Sequence, residues 1–145
     1  MGIYMNKEIE KIILPIDGSE CAKKAAQKAF FIAKKLDLKV DILCVLDPFR
    51  YATTHELFPY LNKIRRGEAV EYLDEIEEIG KTMGVKCSTR LIDGGTPVEE
   101  IIKSASPNDL IIMGIKGHSN IEKILIGDVS EKVVRHAKCS VMVVR

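Results

Sequence analysis

The chain has 145 residues, enough for one domain whose single hydrophobic core needs no disulfide or metal to hold it. Hydrophobic residues make up 46%, which excludes a disordered chain, and 22 Lys and Arg nearly balance 21 Asp and Glu. That balance argues against a broad electrostatic grip on nucleic acid or on an anionic membrane.

The N-terminal "MGIYMNKEIEK" lacks the long apolar stretch of a secretion signal, and either Met1 or Met5 can serve as the start. We read residues 1–10 as an extension and 11–145 as one domain. The apolar runs are a few residues long, too short to cross a bilayer. Cys21, Cys44, Cys87 and Cys139 are scattered, with no C-x-x-C pair and no nearby histidine pattern. They read as buried or inert thiols in a reducing cytoplasm, with no metal site.

The first element is "KIILPIDGS", a short apolar run over 12–16 that ends in an Asp-Gly-Ser turn, as a buried strand would. Pro15 falls near its end, where a missing ladder donor is tolerable. Ser19 is placed to cap the next helix, whose stripe is Ala22, Ala25, Ala26, Ala29, Phe30, Ala33 and Leu36. "KVDILCVLD" is the second strand. After the irregular "PFRYATTHELFPY" comes a long helix with Leu61, Ile64, Val70, Leu73, Ile76 and Met83 expected inward. "VKCSTRLIDG" alternates more than the other strands and is expected near a sheet edge. In "TPVEEIIKSA", Thr96 caps, Pro97 takes the first helical position and Glu99 completes a capping box.

"NDLIIMG" is a continuous apolar strand, expected to be central. A glycine-bearing loop, a helix over about 129–137 and the strand "SVMVVR" follow. Strands alternating with helices imply a parallel sheet with helices on both faces. Ligands of such sheets bind outside the carboxyl ends of the strands, where the strand order reverses. Pro15, Asp17, Val45, Met113 and Gly117 all fall at or just past such ends. The last strand has no covering helix after it, and an open edge of that kind templates pairing with a second copy. A homodimer through Val141 to Val144 is therefore expected.

Several motifs are excluded by spacing. "GKT" at 80–82 has Glu75 where a P-loop needs its first glycine, and it ends a helix instead of starting one. No G-x-G-x-x-G follows the first strand. A receiver domain needs an acidic pair after its first strand, and Asp17 stands without an adjacent acid. His55, His118 and His136 lie far apart in sequence and give no catalytic histidine cluster. His118, in the glycine loop, reads as a solvent-facing residue that could still donate to a phosphate.

The strong signal is "GIKGHSNIEKILIGDVSEK", in which Gly114 and Gly117 form G-x-x-G and Gly127 follows nine residues later. Together with "ILPIDGSE" near the N-terminus and "HAKCSVMVVR" at the C-terminus, it resembles the universal stress protein family, from Lys11 to Arg145. The resemblance implies a doubly wound, Rossmann-like five-stranded sheet of the adenine nucleotide alpha hydrolase-like type, usually a homodimer joined through its last strand. The family's ATP-binding branch would place adenine and ribose on Pro15, Asp17, Val45, Met113 and Gly114. Its phosphates would meet Gly117, Gly127, Asp128, Val129 and Ser130. Asp17 suits this role, since a carboxylate accepts bonds from a ribose hydroxyl or an adenine amino group. As a residue before Gly18 it also reads as a turn former.

At Asp128 the sequence departs from the family pattern, which has Ser or Thr after the last glycine. An ionised Asp is acceptor-only. It is expected to accept the amides of Ser130 or Glu131 as an N-cap, with "DVSE" spaced as a capping arrangement. A bridging Mg²⁺ or Mn²⁺, the charge of Lys116, Lys123 or Lys132, or a carboxylate turned aside to leave Ser130 facing the phosphates would each restore ATP binding. The resemblance thus implies a cytoplasmic, homodimeric stress or regulatory protein that binds ATP, with AMP or ADP as alternatives. Any turnover would be slow, because the loop carries no arginine finger. The alternative is a family member that binds no nucleotide and acts as an interaction module, through its dimer surface or the segment "FRYATTHELFPYLNKIRR".

Overall fold

The computed structural model describes residues 8–48, 57–118 and 125–145. Among the described residues nine elements alternate: β1 (Lys11–Pro15), α1 (Glu20–Leu36), β2 (Lys39–Leu46), α2 (Phe58–Thr82), β3 (Cys87–Asp93), α3 (Pro97–Ser104), β4 (Leu110–Gly114), α4 (Asp128–His136) and β5 (Ser140–Val144). The strands form one parallel sheet in the order β3-β2-β1-β4-β5. From β1 the chain winds outward through β2 to β3, then crosses to the other side of β1 for β4 and β5. The direction of winding reverses between β1 and β4, and neighbouring loops part there to leave a crevice.

Helices α1 and α2 cover one face. Ala22, Ala25, Ala26, Ala29, Phe30 and Ala33 are buried along α1, against Ile12, Leu14, Val40, Ile42 and Ile112 of the sheet. With only methyl groups at most of these positions, α1 lies close to the strands. Leu36, expected on the same stripe, is 54% exposed, because the helix ends there in a left-handed Asp37 at φ 54°. Ser19 caps the other end, its Oγ accepting from the Ala22 amide at 3.2 Å.

On α2 the buried face is Ala69, Leu73, Ile76 and Gly80. Ile64 and Val70, expected inward, are 44% and 42% exposed. Ile64 stands nine residues before Leu73, two and a half helical turns, and so falls off the buried stripe. Gly80 lets the helix come close to its neighbours: a Cβ there would lie 2.5 Å from Sγ of Cys87 on β3 and 2.8 Å from Cε1 of Phe30 on α1.

Helices α3 and α4 cover the other face, with Ile101 and Val133 buried on Ile13, Leu43, Ile111 and Met113. Thr96 caps α3 by accepting from the Glu99 amide at 3.3 Å, with Pro97 in the first turn. β3 and β5 are the sheet edges, and β3 is only half-buried along its length. β4 is interior and pairs with both β1 and β5.

Near the amino ends of the strands the side chain of Asp41 is largely buried between β1 and β3. It accepts from the Ser88 hydroxyl and pairs with Lys11 at 3.5 Å and Arg90 at 3.6 Å. Burial alone would raise its pKa. The Ser88 bond and the charges of Arg90, Lys11 and Lys39 outweigh that, and hold the carboxyl below its ordinary value of 3.8. Among the described residues no helix is long and apolar enough to cross a membrane.

Candidate functional site

At the reversal point the carboxyl ends of β1 and β4 part over a cavity of about 300 Å³. All ten residues singled out from the sequence line it: Pro15, Asp17, Val45, Met113, Gly114, Gly117, Gly127, Asp128, Val129 and Ser130. They come from three strand ends, the glycine loop and the first turn of α4. The floor is apolar, built from Leu43 and Val45 of β2, Met113 of β4, and Pro97 and Ile101 of α3. Ser19, Lys116 and His118 join Asp17, Asp128 and Ser130 as the polar lining.

Leu43 was legible in principle, because it stands two residues before Val45 and so shares its face. Pro97 and Ile101 were not. Which helix folds over a crevice is a property of the assembled layers.

The three motif glycines serve the protein's own packing, and none of them has a positive φ. A Cβ on Gly114 would lie 2.8 Å from both the carbonyl carbon and the Cβ of Cys21, where α1 begins. A Cβ on Gly117 would overlap Oδ2 of Asp17, and one on Gly127 would lie 3.0 Å from Cα of Lys116. Their spacing therefore marks three places where segments must nearly touch. That closeness also brings the loop backbone to the cavity wall.

Asp17 is fixed from two sides. Its Oδ1 accepts from the Ser19 amide at 2.9 Å, so the turn role and the cavity role coexist in one side chain. His118 is exposed, as expected, and its Nε2 donates to the Asp17 carbonyl at 2.5 Å. The loop that leaves β4 is pinched at its base, where the Gly127 amide donates to the Ile115 carbonyl at 2.7 Å. Residues 119–124, which include Lys123, lie outside the described residues.

The first turn of α4 corrects two expectations. Gly127, not Asp128, is the N-cap, and among the described residues no side chain caps this helix. Asp128 is the first helical residue, too far along the turn for its carboxylate to fold back on the amides of Ser130 and Glu131. It faces solvent with 78% of its side chain exposed and accepts from Lys132 Nζ at 3.2 Å, one turn on. Ser130 is 3% exposed, and its hydroxyl donates to the Gly114 carbonyl at 2.8 Å instead of facing the cavity as a free donor. The amides of Asp128, Val129 and Ser130 open the helix without intrahelical acceptors. They are the donors this end offers an anion.

A second cavity, about 350 Å³, lies under α2 and shares Asp17, Val45 and His118 with the first. Cys44 lines it. Burial first, and then the charge of Asp17, push its thiol up to about 11, so it is not a nucleophile at neutral pH. Residues 49–56, part of the stretch expected to be irregular, lie outside the described residues.

Residues 8–145 match the model of the universal stress protein family. A universal stress protein of Methanocaldococcus jannaschii is 34% identical over 140 residues, covering 94% of this chain and 82% of that protein. Among solved structures, the universal stress protein UspA of Lactobacillus plantarum superposes with a TM-score of 0.79 at 28% identity, covering 94% of this chain and 97% of that one. More distant structures share the fold at a TM-score of 0.67 and hold ligands. An Archaeoglobus fulgidus universal stress protein in complex with dAMP is 21% identical, covering 94% of this chain and 98% of that one. An Arabidopsis thaliana family protein with AMP bound is 21% identical, with coverage of 93% and 90%. A universal stress protein in complex with cAMP is 24% identical, with coverage of 94% and 97%.

Proposed function

The chain belongs to the universal stress protein family, and on that premise we propose that it binds an adenine nucleotide in the cavity at the carboxyl ends of β1, β2 and β4. The observation that carries this reading is the gathering of all ten motif residues around one cavity at the reversal point. Its shape divides as a nucleotide does. The apolar slot of Leu43, Val45, Met113 and Ile101 suits a base, Asp17 suits ribose hydroxyls, and the open turn of α4 with Lys116 suits phosphate. The complexes of more distant family structures with AMP, dAMP and cAMP support the same ligand class.

The protein acts as a cytoplasmic, homodimeric regulator in which nucleotide occupancy is the signal. Catalysis is at most slow. Among the described residues lining the cavity there is no arginine to stabilise a transferring phosphoryl group. The Nε2 of His118 is already engaged with the Asp17 carbonyl. The apolar exposure of Leu57, Phe58, Tyr60 and Ile64 at the start of α2 favours a second reading, a protein-interaction module.

Calorimetric titration of the nucleotide-stripped protein with AMP and with ATP plus magnesium separates the two. Micromolar binding of either, weakened at least tenfold in Asp17→Ala, supports the nucleotide site. No heat at millimolar concentrations of both removes it and leaves the interaction module.

A further inference from the structure

We propose that the site selects a nucleoside monophosphate over a triphosphate, and that Asp128 with Lys132 sets the selection. The inference rests on the adenine-nucleotide reading above and adds to it the length of the phosphate chain.

The phosphate end of the cavity runs from a closed side to an open one. The closed side is Ser130, 3% exposed, with its hydroxyl engaged by the Gly114 carbonyl. The open side is Asp128, whose side chain is 78% exposed. One phosphate fits against the amides that begin α4, with Lys116 on the loop beside it. A second and third phosphate extend toward solvent and pass Asp128.

No backbone amide of the first turn takes up the carboxylate met there. The cap is Gly127, and the carboxylate makes no cap bond to the helix backbone. A phosphate oxygen and an ionised carboxylate are both acceptors and cannot bond each other. Lys132, whose ammonium lies 3.2 Å from the Asp128 carboxylate, offsets part of its charge, but Asp128 lines the cavity and Lys132 does not. Two like charges about 4 Å apart reduce affinity by between about fivefold and a thousandfold as the surroundings change from water to protein surface. The exposure of Asp128 and its pairing with Lys132 place the effect at the lower end, about tenfold.

AMP, ADP and ATP are titrated into the wild-type protein, Asp128→Asn and the charge-retaining Asp128→Glu, at fixed ionic strength with EDTA to exclude divalent ions. Circular dichroism verifies that each variant is folded. The readout is the ratio of AMP to ATP affinity. We expect the wild-type protein to favour AMP about tenfold, with ADP between, and Asp128→Glu to keep that preference. Asp128→Asn should move the ratio about tenfold toward ATP. ATP bound as tightly as AMP by the wild-type protein, or a ratio that Asp128→Asn leaves unmoved, overturns the selection while the nucleotide site stands. No heat from any of the three nucleotides overturns the nucleotide reading, and the selection with it.

Discussion

The hydroxyl of Ser130 donates to the carbonyl of Gly114 at 2.8 Å, tying the first turn of α4 to the last residue of β4. Both groups belong to the candidate site, and the bond fixes the distance between the strand end and the helix amides. Ser130→Ala removes the donor and leaves a carbonyl without it in a buried place. We expect a loss of about 1–2 kcal/mol, read as a lower urea midpoint at unchanged slope. Nucleotide affinity should fall with it, because the helix N-terminus is no longer held against the cavity. An unchanged midpoint would show that the bond holds nothing.

Gly114 and Gly117 should respond differently to the same added methyl group. At Gly114 the obstacle is the backbone of α1 at Cys21, together with the Ala22 amide at 3.0 Å. Backbone cannot swing aside, so Gly114→Ala is expected to cost about 1–3 kcal/mol. At Gly117 the obstacle is the carboxylate of Asp17, a side chain that can rotate away once its bond to the Ser19 amide is given up. Gly117→Ala should therefore cost less stability but displace the group proposed to hold ribose. Thermal unfolding and AMP titration of both variants give the comparison. Equal stability losses, with AMP affinity unchanged in Gly117→Ala, would contradict it.

Asp41 gives the fold an acid-side weakness. Its carboxyl is held below the ordinary value of 3.8 by Ser88, Arg90, Lys11 and Lys39 against the opposing pull of burial. A depressed folded pKa contributes stability that is present above the unfolded value and lost as pH falls through the folded one. Asp41→Asn should thus be less stable than the wild-type protein at pH 7, by about 1–2 kcal/mol. The gap should narrow on acidification to well below the ordinary carboxyl range. Urea midpoints of both proteins at the two ends of this range test the sign. A gap that widens in acid would refute it.

The outer edge of β5 supports the proposed dimer. Val141, Met142 and Val143 are half-buried and pair on one side only, with β4. An apolar strand with an unpaired edge is stabilised by a second copy. Sedimentation at tens of micromolar should give twice the 16.2 kDa chain mass, and Val143→Lys should shift the protein toward monomer while the helical signal is kept. A monomeric wild-type protein under these conditions would exclude the β5 pairing.

The sequence alone determined the layers and ten of the residues that line the candidate cavity. Buried parallel strands are continuous apolar runs, α1 carries its alanines at helical spacing, and Ser19 and Thr96 mark helix starts through local hydrogen bonds that need no tertiary partner. The strand-end rule then places Pro15, Asp17, Val45, Met113 and Gly117 together, because every parallel strand delivers its carboxyl end to the same side of the sheet. What the tertiary structure decided is the use made of each group. Ile64 has the apolarity of a core residue but the wrong phase around α2, and it is exposed. Asp128 has the composition of a cap, yet Gly127 takes that position because its amide is drawn to the Ile115 carbonyl across the base of the loop. Ser130 reads as a free hydroxyl until β4 supplies an acceptor sixteen residues away in sequence. Residue type sets which bonds a side chain can make. Only packing between segments distant in the chain decides which of them it makes.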